Sequence, residues 1–153
     1  MEGLVLRRAD RIDEVLDIVR ETIAVVYPRF YPAGAVRYFF GLHDEDRIGR
    51  SMETDKVYLL VDGDVVVGTG SVRKNEIYRF FVLPRFQRRG YGNSALDLME
   101  ERIFAEYPSV RVDASLPAER LYRKRGYAIR DFEMIETGNG DFLCYHTMEK
   151  RRV

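Results

Sequence analysis

Val82-Leu83-Pro84-Arg85-Phe86-Gln87-Arg88-Arg89-Gly90-Tyr91-Gly92 joins the end of an apolar run to the start of a helical one. Pro84 cannot donate to a strand ladder, so the strand before it stops there. After Gly90, Leu96, Met99 and Ile103 recur at helical spacing, which predicts a helix over residues 91–107. The first turn of a helix leaves backbone N–H groups unpaired and carries a partial positive charge. Glycines let a phosphate approach that backbone closely, and Arg88 and Arg89 add formal charge. The stretch therefore predicts an anion site of diphosphate size between a strand end and a helix start.

Working outward, the upstream pattern has period two. Residues 56–61 and 65–73 read as strands around the turn Asp62-Gly63-Asp64, and residues 76–83 as the next strand after Asn75. Further upstream, residues 4–8 read as a strand. Asp10 is placed to cap a helix over residues 11–26, with Ile12, Val15, Leu16, Val19 and Ile23 on one stripe. Pro28 and Pro32 bracket an irregular aromatic loop, followed by a helix over residues 33–42 and a short third helix. Downstream, residues 110–114 read as a strand, Pro117 opens a helix ending near Gly126, and residues 127–136 and 142–150 form a hairpin through Gly138-Asn139-Gly140. A strand, helix and strand over residues 76–114 imply a parallel crossover inside a mostly antiparallel sheet, an α+β architecture.

The chain has 153 residues, suited to a single domain over residues 1–153. Lys+Arg and Asp+Glu are both 25, so the formal net charge is zero, which argues against a nucleic-acid coat protein. The one cysteine, Cys144, excludes an intrachain disulfide, fits a reducing cytoplasm and reads as a buried, inert thiol. No signal peptide, membrane span or metal-ligand cluster is legible, and His43 and His146 stand isolated.

Three phosphate-binding schemes compete for the glycine stretch. A Walker loop needs Gly-Lys-Ser/Thr, which is missing. Gly90-Tyr91-Gly92-Asn93-Ser94-Ala95 matches the dinucleotide pattern G-x-G-x-x-A, with Asp113 lying 23 residues beyond Gly90. Yet the glycines stand six residues after Pro84 rather than in a tight turn after the strand. In the third scheme, Gln87-Arg88-Arg89-Gly90-Tyr91-Gly92 resembles motif A of the GNAT superfamily of N-acetyltransferases, Q/R-x-x-G-x-G/A. Phe80-Phe81-Val82 followed by Pro84 is similar to the family's strand end. Ala118-Glu119-Arg120-Leu121-Tyr122-Arg123-Lys124-Arg125-Gly126-Tyr127 resembles its A-x-x-L-Y-x-x-x-G-F/Y helix and turn.

The resemblance implies a splay between the fourth and fifth strands of a mixed, mostly antiparallel sheet flanked by helices. It implies acetyl-CoA as co-substrate, with pantetheine against the backbone of Phe80, Phe81 and Val82, and pyrophosphate on Gln87, Arg88, Arg89, Gly90, Tyr91 and Gly92. Tyr122 matches the tyrosine that gives a proton to the leaving thiolate; a core tyrosine is the other reading. Ser115 stands where many relatives carry asparagine against the pantetheine. Glu76, eleven residues before Gln87, matches the glutamate base of one branch, and a turn residue is its other reading. The position of another branch's glutamate is Val110 here. The acceptor wall falls on Tyr27, Phe30 and Tyr31, with Tyr38, Phe39 and Phe40 soon after, and core packing or a dimer surface is the alternative. Arg120, Lys124 and Arg125 offer charge for a 3′-phosphate or a plain solvated face, and Asp44-Glu45-Asp46 either attracts a cationic acceptor or forms an acidic turn. The implied activity is direct acetyl transfer to an amine on a small molecule or peptide, with a homodimer by analogy. A non-catalytic acyl-CoA-binding or sensing domain is the competing function.

Overall fold

Alternating hydrophobicity builds one sheet with helices on both faces. The computed structural model describes residues 3–153. Strands β1 (Leu4–Arg8), β2 (Lys56–Asp62), β3 (Val65–Arg73), β4 (Glu76–Val82), β5 (Ser109–Ala114), β6 (Ala128–Gly138) and β7 (Asp141–Arg151) lie in the order β1-β2-β3-β4-β5-β7-β6. Every neighbouring pair is antiparallel except β4 and β5. The helices are α1 (Ile12–Val26), α2 (Ala33–Leu42), α3 (Glu45–Thr54), α4 (Tyr91–Phe104) and α5 (Glu119–Lys124). Among the described residues no helix is long and apolar enough to cross a membrane.

Alternation along β2 shows how the layers form. Val57, Leu59 and Val61 pack with Val15, Val19 and Ile23 of α1, while Leu60 packs with Leu96 and Met99 of α4. Each such buried aliphatic side chain contributes about 1.5–3 kcal/mol through removal from water. Asp10 does not cap α1: Arg11 holds the N-cap position without a side-chain bond, and Asp13 and Glu14 place negative charge in the first turn instead. Asp44, by contrast, caps α3, its carboxylate accepting the Arg47 N–H at 2.8 Å. The acidic triplet is thus a helix start. Asn139 (φ 52°) and Gly140 (φ 78°) make the two-residue turn between β6 and β7.

β4 is less regular than its sequence pattern. Thr69 pairs with Phe81 and Ser71 with Tyr78, so Arg79 and Phe80 together oppose Gly70. This bulge places Arg79 at φ 47° and inverts the facing of the strand. Ile77 belongs to the core under α4, whereas Phe81 belongs to the core under α1, although both carry odd numbers. Tyr78 and Arg79 both reach the α2–α3 side: the Tyr78 hydroxyl bonds Asp55, and Arg79 bonds His43 and Ser51.

Past the first two residues β4 loses its neighbour on one side. Only Glu76↔Arg111 and Ile77↔Val112 pair with β5, and the strands then splay apart. On the other side β4 lies tight against β3. A Cβ on Gly68 would sit 2.3 Å from the Phe81 carbonyl oxygen and 3.1 Å from the Val82 Cα. Both neighbours are backbone, so Gly68→Ala is expected to destabilise the fold by about 1–3 kcal/mol, the range for overpacking. Thermal denaturation checks this, and a wild-type melting temperature would mean that β3 and β4 separate freely.

Candidate functional site

The splay opens a cavity of about 350 Å³. Its walls are the β4 segment containing Phe80 and Phe81, the end of β5 with Asp113 and Ser115, and Tyr122 of α5. Tyr27 and Phe39 close it from the opposite side.

Tyr122 is set there by the start of α5. The Ser115 carbonyl accepts the N–H groups of Ala118 at 3.0 Å and Glu119 at 3.1 Å, which turns the chain into the helix. Tyr122 is 4% exposed, and its ring lies 5.2 Å from that of Tyr127. Its hydroxyl has no hydrogen-bond partner among the described residues, although it lines the cavity. Burial pushes its pKa well above the ordinary tyrosine value, with nearby Tyr27 and Glu100 adding to the effect. The group is therefore a neutral O–H donor at neutral pH.

Of the aromatic residues expected at the acceptor wall, Tyr27, Tyr38 and Phe39 line the cavity. The Tyr27 hydroxyl donates to Ser115 Oγ at 3.2 Å, and its ring meets Phe39 edge-on at 4.6 Å. Tyr31 is buried behind it. Its hydroxyl accepts the Leu116 N–H at 2.7 Å and donates to the Cys144 carbonyl at 3.3 Å, and burial holds its pKa up at about 12. Phe30 is 47% exposed and outside the cavity wall. Cys144 is half-buried rather than buried, and free.

At the glycine stretch, a single 3₁₀ turn over Pro84–Phe86 precedes the loop. The Gln87 N–H bonds back to Pro84 at 3.2 Å, so Gln87 contributes its side chain to the surroundings. Leu83 N–H points to Val67 of β3 at 2.8 Å; alternation then turns the backbone groups of Val82 toward the splay, and Gln87 Nε2 donates to the Val82 carbonyl at 2.9 Å. Arg88 (φ 62°) and Gly90 (φ 89°) are both left-handed, and α4 begins at Tyr91. No backbone carbonyl or side-chain group among the described residues accepts from the N–H groups of residues 88–93. Successive free amides in such a turn form an anion-binding concavity. The Tyr91 side chain anchors the helix start through a 2.5 Å bond to Asp62. A Cβ on Gly92 would lie 3.3 Å from Leu121, so this glycine lets α5 approach α4 and brings the loop and Tyr122 to one end of the sheet.

Other expected residues lie apart. The Glu76 carboxylate pairs with Arg73 at 2.8 Å and is absent from the cavity wall. Arg125 is held by Asp97 at 2.7 Å and Glu100 at 3.1 Å, joining α5 to α4, while Arg120 and Lys124 remain outside that pairing. His146 is not isolated: Nδ1 lies 2.9 Å from Glu119. Asp113 lines the cavity, but the antiparallel sheet is not the doubly wound parallel sheet that a dinucleotide fingerprint requires. Among the described residues no group of three or more His, Cys, Asp or Glu could hold a metal ion.

Residues that sequence reasoning passed over also meet the cavity. His43, Tyr78 and Arg79 all line it. Arg79 Nε donates to His43 Nδ1 at 3.0 Å, so neutral His43 carries its proton on Nε2. Burial, then Arg79 and Arg47, push the His43 pKa down to about 3, which removes it as a base at neutral pH. No local signal marks this pair, which is joined across 36 residues through the β4 bulge.

A family model described as "Acetyltransferase (GNAT) domain" matches residues 27–152. No curated protein matches the chain by sequence. Among solved structures, a GCN5-related N-acetyltransferase from Rhodopseudomonas palustris is similar with a TM-score of 0.86 at 22% identity, over 97% of this chain and 94% of that one. PaiA N-acetyltransferase from Thermoplasma acidophilum, solved with coenzyme A, is similar with a TM-score of 0.72 at 16% identity, over 97% and 99%. The spermidine/spermine N-acetyltransferase SpeG from Vibrio cholerae is similar with a TM-score of 0.70 at 12% identity, over 99% and 95%. At these identities the structural likeness shows the fold.

Proposed function

Starting from a chain that belongs to the GNAT acetyltransferase family, we propose that it moves the acetyl group of acetyl-CoA directly to an amine. One observation carries this reading: an unpartnered tyrosine hydroxyl lines the same splay that ends at a row of unsatisfied amides. These features fit coenzyme A. The N–H groups of residues 88–93 suit its pyrophosphate, with Arg88 and Arg89 beside them; the Val82 backbone and Ser115 suit the pantetheine arm. The thioester of acetyl-CoA supplies the acetyl group.

In this reading the splay excludes water from the reacting centre and the amides fix the anionic end. The Tyr122 hydroxyl donates a hydrogen bond and then its proton to the departing thiolate. Its raised pKa keeps the hydroxyl protonated and able to donate a hydrogen bond as negative charge develops on the sulfur, while making full proton transfer the harder part of the step. An acceptor amine of ordinary pKa, about 10.4 for a lysine type, must lose a proton before it attacks. Glu76, tied to Arg73 outside the cavity wall, serves this step only through a water relay. Glu76→Gln is therefore expected to lower kcat/KM by less than tenfold, mainly at low pH where fewer amines are neutral. A wild-type pH profile removes Glu76 from the mechanism.

Thermal shift and thiol release together test the proposal. Acetyl-CoA should raise the melting temperature and NAD should not, and free thiol should appear only when an amine is added. Stabilisation without thiol release across a broad amine panel favours a sensing domain instead. The proposal extends to one domain over the whole chain, acting in the cytoplasm.

A further inference from the structure

A second cavity, of about 420 Å³, adjoins the first and shares with it Leu42, His43, Tyr78 and Arg79. Its walls hold an unusual set of charges: Arg47, Arg50, Arg73 and Arg79 against the single carboxylate of Asp55. Two of these guanidinia are already matched. Arg47 pairs with Asp44 at 2.8 Å, and Arg73 with Glu76 at 2.8 Å. Asp55 is bonded by the Tyr78 hydroxyl and lies 4.0 Å from Arg73. Arg50 and Arg79 have no ion-pair partner among the described residues.

Arg79 is the more telling of the two. It is 9% exposed, and its partners are neutral: His43 Nδ1 at 3.0 Å and Ser51 Oγ at 3.1 Å. A guanidinium removed from water with no carboxylate bonded to it is costly, and an anion entering beside it offsets that cost. Desolvation lowers its pKa from the ordinary arginine value and outweighs the attraction of Tyr78, Asp44 and Asp55, none of which bonds it. The bulge in β4 puts it there. With regular alternation the residue after Tyr78 faces the α4 side; the extra residue turns it toward α2 and α3, at the junction of the two cavities.

We propose that the acceptor amine carries a carboxylate, which enters the arginine-lined cavity and is held by Arg79 and Arg50 while the amine reaches into the splay beside Tyr122. The inference rests on the acetyl-transfer reading above. A carboxylate accepts two parallel bonds from one guanidinium, as a phosphate also does, and what favours it here is that its single charge matches the one buried guanidinium, Arg79. A dianion would also face Asp55 in the same cavity. Polycationic acceptors are disfavoured by the same arginines.

The test compares acceptors in matched pairs. α-Amino acids and a series of ω-amino acids of increasing length are each assayed beside their own carboxamides, with a polyamine as a further arm, by thiol release from acetyl-CoA. The expected result is one length at which the carboxylate exceeds its carboxamide by about tenfold or more in kcat/KM, the discrimination given by a hydrogen-bonded charge. Arg79→Gln should erase that preference through KM. Because Arg79 is buried, Arg50→Ala serves as the second variant: Arg50 is exposed, so its truncation leaves the fold intact and should cut the preference several-fold. Equal or faster transfer to carboxamides or the polyamine overturns the inference and leaves acetyl transfer standing. A preference that survives in both variants overturns it as well. Failure of acetyl-CoA to bind or to yield thiol with any acceptor overturns the parent reading, and this one with it.

Discussion

Tyr122→Phe is expected to lower kcat by about a hundredfold, with acetyl-CoA affinity and melting temperature near wild type. The structure makes this a clean substitution. The hydroxyl has no hydrogen-bond partner among the described residues, so removing it leaves no buried group unsatisfied and no cavity behind. The ring remains against Tyr127 at 5.2 Å. What disappears is the neutral O–H that burial has kept protonated next to the splay. A loss confined to kcat is the mark of an interaction made only as charge develops on the leaving sulfur. Steady-state kinetics with saturating acetyl-CoA measure it, and an unchanged kcat means that Tyr122 is a core tyrosine.

The second large effect is expected at the phosphate end. Gly90→Val should weaken acetyl-CoA binding by about tenfold or more, read as Kd by calorimetry. Gly90 has φ 89°, where a side chain costs about 1–2 kcal/mol and a β-branched one more. The loop relieves that strain by rotating the peptide planes around Gly90, and those planes carry the amides of residues 88–93 that are left free for an anion. About 1.4 kcal/mol corresponds to tenfold in affinity. The kcat at saturation should change less than Kd, because the splay and Tyr122 belong to other elements. An unaltered Kd would place the pyrophosphate away from this helix start.

Local patterns were readable wherever the chain's own spacing carries the information. The α1 stripe of Val15, Leu16, Val19 and Ile23 is buried as its period requires, and the β2–β3 turn and β6–β7 hairpin follow from Asp, Asn and Gly at the tips. Helix ends were read less well. Asp10 precedes the α1 stripe yet does not cap it, while Asp44, in an acidic run, does cap α3, because capping depends on the local φ and ψ as well as on residue type. Of the aromatic residues expected at one wall, Tyr27, Tyr38 and Phe39 face the cavity, whereas Phe30, Tyr31 and Phe40 do not line it. Which side a ring takes in an irregular loop is set by what packs against it.

From sequence alone came the layered α+β architecture, the glycine loop that opens α4 and the place of Tyr122 on a short helix, since each depends on residues close together in the chain. Tertiary structure alone decided the rest. The bulge opposite Gly70 inverts β4, brings Arg79 to His43 and Ser51, and joins two cavities at one buried charge. An extra residue in a strand leaves the alternation of a short apolar run looking regular, and becomes visible only when the register with the neighbouring strand is known.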